Sequence, residues 1–121
     1  MRVGYVVLYV TDPAACLKFW TERVGMVEKG RKQAGDFAIV QVGFADQNFS
    51  LELVPLALMA DNPHNLDLAT PSMAFHVADL VASRDKLIAA GVQASEISEF
   101  SGVESFAFSD NEARWFAVTR S

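Results

Sequence analysis

Cysteine is nearly missing from this chain. Cys16 is the only one, which excludes an internal disulfide and any cysteine-cluster metal site. It sits among Ala15, Leu17, Phe19 and Trp20, an apolar setting expected of a buried, inert thiol rather than a nucleophile. Long apolar runs are missing too, and no stretch reaches the roughly 18 residues that a bilayer-crossing helix needs. The opening Met1-Arg2-Val3-Gly4-Tyr5 leads straight into a strand pattern without signal-peptide character, so a cytoplasmic address and no membrane partner are expected. Positive charge is scarce and dispersed: 10 Lys and Arg face 15 Asp and Glu, for a net charge of -5. The one local cluster, Lys29, Arg31 and Lys32, reads as a solvated turn. A nucleic-acid groove needs a concentrated basic footprint, so no nucleic-acid partner is expected. What is present is apolar material, 51% of 121 residues, enough for one core and for an apolar subunit interface.

The dominant pattern is a duplication. Tyr5 to Val10 is β-branched and aromatic, and it stops at Thr11-Asp12-Pro13. Asp12 suits an N-cap and Pro13 the first helical position. Cys16, Phe19, Trp20 and Val24 follow at helical spacing, and Gly25 supplies the C-terminal glycine of a helix of about three turns. Met73 to Val77 repeats the strand, Asp79 the cap, Leu80, Leu87 and Ile88 the stripe, and Gly91 the stop. The two aspartates are 67 residues apart and the two glycines 66, offsets too close for chance. Strands are expected over Phe37 to Val42 and Phe49 to Pro55, matched by Val103 to Phe108 and Arg114 to Thr119, with short ones near 27–29 and 94–96. The expectation is a single α+β domain, 1–121, with an internal repeat 1–55 and 72–121 joined by a linker, 56–71. Leu56, Leu58, Met59, Leu66 and Leu68 make that linker too apolar for a free tether. A single βαβββ unit leaves one sheet face bare, and two can pair as a half-open barrel.

The residues that carry a family likeness are Val6-Val7-Leu8-Tyr9-Val10-Thr11-Asp12, Phe19-Trp20 before Val24-Gly25-Met26, Leu51-Glu52-Leu53, Met73 to Asp79, and Phe108-Ser109-Asp110. In order and duplicated, they resemble the vicinal oxygen chelate superfamily of glyoxalase I, extradiol dioxygenases and bleomycin-resistance proteins. The layout is most similar to the bleomycin-resistance branch. The resemblance implies two βαβββ modules around a U-shaped cavity, a homodimer, and in the metalloenzymes four His or Glu ligands from the first and last strands of each module. Carried over, those positions fall on Tyr5, Glu52, Ser72 and Ala117, and three of the four depart from the usual ligand types. The closing turn, Asp110-Asn111-Glu112-Ala113, also departs from the family's Asp-Pro-Asp-Gly-like sequence. A family-type metal centre is therefore not expected, and no cofactor is assigned.

Strand alternation places Tyr5, Val7, Tyr9, Ser50, Glu52, Val54, Ser72, Ala74, His76, Trp115, Ala117 and Thr119 on the face of those sites. The other parity, including Val6, Leu8, Leu51, Leu53, Phe75, Val77, Phe116 and Val118, is apolar and suits packing on helices. Tyr5, Tyr9, Glu52, Ser72, His76 and Trp115 are the candidate ligand-binding residues. Glu52 among leucines must find a partner or become neutral, by a structural bond or by ligand recognition. His76 is either a satisfied structural histidine or an acid-base partner of Glu52. His64 reads as exposed, Arg114 as a surface ion-pair residue, and Phe100 as an apolar lid.

These readings lead to a metal-independent small-molecule binding protein of bleomycin-resistance-like type, sequestering a drug or metabolite in a dimeric cavity. The alternative is a glyoxalase- or dioxygenase-type enzyme, with a non-standard metal site or acid-base chemistry by Glu52 and His76. A structural or regulatory module with a filled cavity is the third class. The balance leans away from an enzyme.

Overall fold

Alternating strands and two aspartate-capped helices build the same pattern twice. The computed structural model describes residues 5–61, 68–69, 73–100 and 102–120. The chain divides into two compact units, Met1–Pro71 and Ser72–Ser121. The first runs β1 (Val6–Val10), α1 (Pro13–Lys18), a π-helical turn (Phe19–Arg23), β2 (Val27–Ala34), β3 (Phe37–Gly43), β4 (Leu51–Pro55) and a 3-10 turn (Leu56–Met59). The second runs β5 (Ala74–Val77), α2 (Leu80–Ala89), β6 (Ser98–Phe100), β7 (Val103–Ser109) and β8 (Trp115–Arg120). The strand orders are β1-β4-β3-β2 and β5-β8-β7-β6. In each sheet the first strand pairs parallel with the last, and the other pairs are antiparallel. The fold is thus α+β, built of two βαβββ modules.

The helix starts follow the sequence signals. Asp12 Oδ1 accepts from the Ala15 amide at 3.1 Å and Asp79 Oδ1 from the Ala82 amide at 3.0 Å, each satisfying an otherwise orphaned donor. Gly25 and Gly91 end the helical segments at φ 96 and 83. The first helix differs from a uniform three-turn α-helix. It widens after Lys18, with the Val24 amide reaching Phe19 O at 3.3 Å. Thr21 Oγ1 donates to Leu17 O at 2.7 Å, a back-bond of the type that bends and loosens a helix.

Alternation decides the cores. In the first unit α1 lies against β3 and β4. Leu8, Val40, Val42, Leu51 and Leu53 are buried together with Cys16, Phe19 and Trp20. The Phe19 and Trp20 rings meet edge to face at 5.2 Å. In the second unit α2 lies against β7 and β8, and Phe75, Phe108 and Phe116 form a triad with centroids 5.7 to 6.1 Å apart. Burying a large apolar side chain fully, as for Leu8, Phe108 and Phe116, contributes about 1.5–3 kcal/mol.

Three local expectations are corrected. Lys29, Arg31 and Lys32 belong to β2 rather than to a turn. Among the described residues that strand pairs only with β3, and it is largely exposed, so polar side chains are tolerated along it. Ile88 is 44% exposed and does not join the buried stripe. At 3.6 residues per turn Leu87 returns to the line of Leu80, while Ile88 lies about 80° round. The short strand expected near 94–96 is a single bridge, Ala94 to Phe108, and β6 starts further on. There Ser95 Oγ accepts the Ala107 amide at 2.9 Å, so a side chain replaces a backbone acceptor and interrupts the ladder. Among the described residues no helix is long and apolar enough to cross a membrane.

Candidate functional site

Each sheet has a face opposite its helix, and Tyr9, Glu52, His76 and Trp115 lie there. In the first unit the register aligns Val7, Glu52, Gln41 and Gly30 in one row across β1, β4, β3 and β2. Glu52, on a central strand buried along its whole length, is only 5% exposed. Gln41 Nε2 donates to Glu52 Oε2 at 3.0 Å, and Lys32 Nζ lies 3.9 Å from the same oxygen. These two partners keep the carboxylate from being an isolated buried charge. A depression of about 160 Å³ is lined by Arg31, Lys32, Ile39, Gln41 and Glu52. Arg31 itself is held by Glu28 through bonds of 3.0 and 2.8 Å, a fork that keeps the Glu28 carboxyl below its usual 4.5. Tyr9 is half-buried on this face, and Tyr5 is exposed.

The second unit carries a different row at the matching place. Ala74, Ala117 and Ala107 align across β5, β8 and β7. One row along, Ser109 pairs with Trp115, whose side of the sheet is open: the residue is 50% exposed. One row the other way, His76 Nδ1 meets Thr119 Oγ1 at 2.7 Å, with Ser105 beyond. This face is therefore a shallow alanine floor with an indole at one end and a histidine–threonine pair at the other.

Glu52 and His76 thus belong to different units, and each has a partner within its own: Gln41 and Lys32 for the one, Thr119 for the other. Arg114, expected to form an ion pair, is engaged by Asp110 at 3.1 Å and Glu112 at 3.2 Å. Asp110, with its side chain fully buried, also accepts the amides of Glu112 and Arg114 at 2.9 Å each and so shapes the β7–β8 turn. Ser72 and His64 lie outside the described residues, as does the side chain of Phe100. The sequence reading missed Gln41 and Lys32. A lone glutamine in the apolar run Phe37 to Gly43 was the available signal for the first. Lys32 was hidden by its assignment to a turn.

A family-type metal centre does not fit these residues. Glu52 is already bonded by an amide and faces an ammonium, while its register counterpart Ala117 has no donor atom. Among the described residues no three His, Cys, Asp or Glu side chains gather where they could hold an ion.

The model of the Glyoxalase/Bleomycin resistance protein/Dioxygenase superfamily matches residues 2–112. The chain belongs to this superfamily. A superfamily member from Sphaerobacter thermophilus DSM 20745 has a solved structure that superposes with a TM-score of 0.83 at 16% identity, covering 100% of this chain and 98% of that one. UcmS2 superposes with a TM-score of 0.81 at 21% identity, covering 100% and 98%. TnmS3, an antibiotic binding protein from Streptomyces sp. CB03234, gives 0.80 at 18% identity, covering 99% and 95%. At these identities the likeness speaks for the fold. No curated protein sequence matches the chain.

Proposed function

We propose that the protein is a metal-independent small-molecule binder of the bleomycin-resistance type, which sequesters a drug or metabolite in a cavity of a homodimer. The observation that carries this reading is the helix-free face of the second unit. There a half-exposed Trp115 stands beside the Ala74–Ala117–Ala107 floor, where a metalloenzyme of this superfamily would need a donor. An exposed indole beside methyl groups offers a stacking surface, and the His76–Thr119 pair offers hydrogen bonds at the far end. In the first unit Tyr9 and Glu52 lie on the corresponding helix-free face, beside an exposed Tyr5, and offer polar and aromatic groups of their own. The antibiotic-binding relative of the same fold supports a role in binding.

The test is a thermal-shift screen against a library of drug-like and metabolite ligands, with and without EDTA. A true ligand at 100 times its Kd adds about 2.7 kcal/mol of stability. The expected result is stabilisation by at least one ligand, unchanged by EDTA and lost in Trp115→Ala. Binding that disappears with EDTA and returns with a divalent metal would overturn metal independence; a library with no stabilising member would overturn the binding role.

A further inference from the structure

The first unit holds a carboxylate that is more than nine-tenths buried beside two cations of unequal commitment. Both partners of Glu52, Gln41 Nε2 at 3.0 Å and Lys32 Nζ at 3.9 Å, address Oε2. Among the described residues Oε1 has no hydrogen-bond partner, and the carboxylate lines the depression of about 160 Å³. Arg31, on the same wall, is tied up by the two bonds to Glu28. Lys32 is held loosely: its side chain is 62% exposed, against 7% for Glu52, and 3.9 Å is too far for a hydrogen bond.

We infer that this depression is a subsite for an organic cation of the ligand, a primary ammonium or an amidinium, and that the Lys32 ammonium occupies its place in the free protein. The inference rests on the binding reading above for the rest of the ligand, because the space is smaller than the roughly 300 Å³ at which ligand pockets begin. A group entering the depression displaces Lys32, whose head is already hydrated and whose stem is flexible. Glu52 cannot follow it into water. A neutral or anionic group in that place would leave a buried carboxylate without a counter-charge, which is strongly unfavourable. A cation restores the charge balance and gains Oε1, which Lys32 does not use.

Gln41 adds a second acceptor. Its amide nitrogen is turned to Glu52, so its carbonyl oxygen lies over Gly30, where a Cβ would come within 3.3 Å of it. A planar amidinium, with two N–H groups on one side, matches acceptors of this kind. A divalent metal matches them poorly, since one carboxylate and one amide oxygen fall well short of six oxygen ligands.

The experiment is an NMR titration of the isotope-labelled protein with benzamidinium chloride, and in parallel with sodium benzoate, benzyl alcohol and magnesium chloride. Benzamidinium is expected to shift the Gln41 side-chain amide and the backbone amides of Lys32 and Glu52 saturably. Glu52→Gln, nearly isosteric, should weaken that binding at least tenfold. Lys32→Met should strengthen it several-fold, because the competing ammonium is gone; this variant decides the matter even if the Glu52 variant does not fold. Tighter binding of benzoate than of benzamidinium, weaker binding in Lys32→Met, or the same shifts from magnesium alone would each overturn the subsite. Library ligands that stabilise the protein while benzamidinium leaves these signals unmoved would refute this inference and leave the binding role standing.

Discussion

The two units share a strand order, an aspartate cap and a parallel first-to-last pairing, yet their helix-free faces have diverged. Where the first sheet runs Val7, Glu52, Gln41 and Gly30, the second runs Ala74, Ala117 and Ala107. Their helix-covered faces stayed apolar but changed in kind. One packs Trp20 and Phe19 over aliphatic strands, and the other closes a triad of phenylalanines. The helices differ as well: α1 and the turn after it bury three residues, whereas α2 buries only Leu80. A duplicated fold is evidently constrained by the parity of its strands and by the signals at its helix ends. The chemistry of the remaining face is free to drift, because a one-residue change there alters neither register nor core.

The largest effect is expected at the phenylalanine triad, which the described residues of the first unit lack. Phe116→Ala removes a ring that is 1% exposed and contacts both Phe75 and Phe108, and should cost about 3–5 kcal/mol in urea unfolding. A cost below about 1 kcal/mol would mean that the triad is not the core of the second unit. Exchanging the central rows comes next. Glu52→Ala removes the partner of Gln41 and Lys32 and should cost about 1–3 kcal/mol. Ala117→Glu, at an exposed position, should cost less than about 1 kcal/mol. Equal losses would show that the two rows are not as different as their burial implies.

The caps test sameness rather than difference. Asp12→Ala and Asp79→Ala should each cost about 1 kcal/mol, since each removes one bond to the third helical amide at nearly the same length. Ala113 departs from the glycine of the family turn and sits at φ 63. Ala113→Gly should therefore raise stability by about 0.5–1 kcal/mol, as the relief of a left-handed alanine outweighs the added chain entropy. The smallest effect concerns acid. Glu28 is held below 4.5 by Arg31, so its contribution is present above that pH and fades as pH falls through the lower folded value. In Glu28→Gln the acid limb of the stability curve should be slightly flatter, and more so at low salt.

Much of this was legible in the residues. Both caps, both terminal glycines and the alternation that buries Leu8, Leu51, Leu53, Phe116 and Val118 follow from local spacing. Legibility failed where a long-range partner decides. Gln41 reaches Glu52 only because β3 lies beside β4 in one register, and Thr119 reaches His76 only because β8 lies beside β5. The length of β2 was invisible for a similar reason. Its charged residues read as a turn until β3 holds them in a ladder from Val27↔Gly43 to Ala34↔Phe37. The widening of the first helix depends on a threonine back-bond that helical periodicity does not encode.

That ladder has a further consequence. Among the described residues the outer side of β2 offers an unpaired backbone over eight residues, long enough to recruit a strand from another molecule, whereas β6 offers only three. Lys29, Arg31 and Lys32 crowd the middle of that edge. Two such edges brought together would set like charges against each other, which disfavours edge-to-edge pairing of this strand. The one basic cluster of an acidic chain thus stands where it discourages the addition of a further strand.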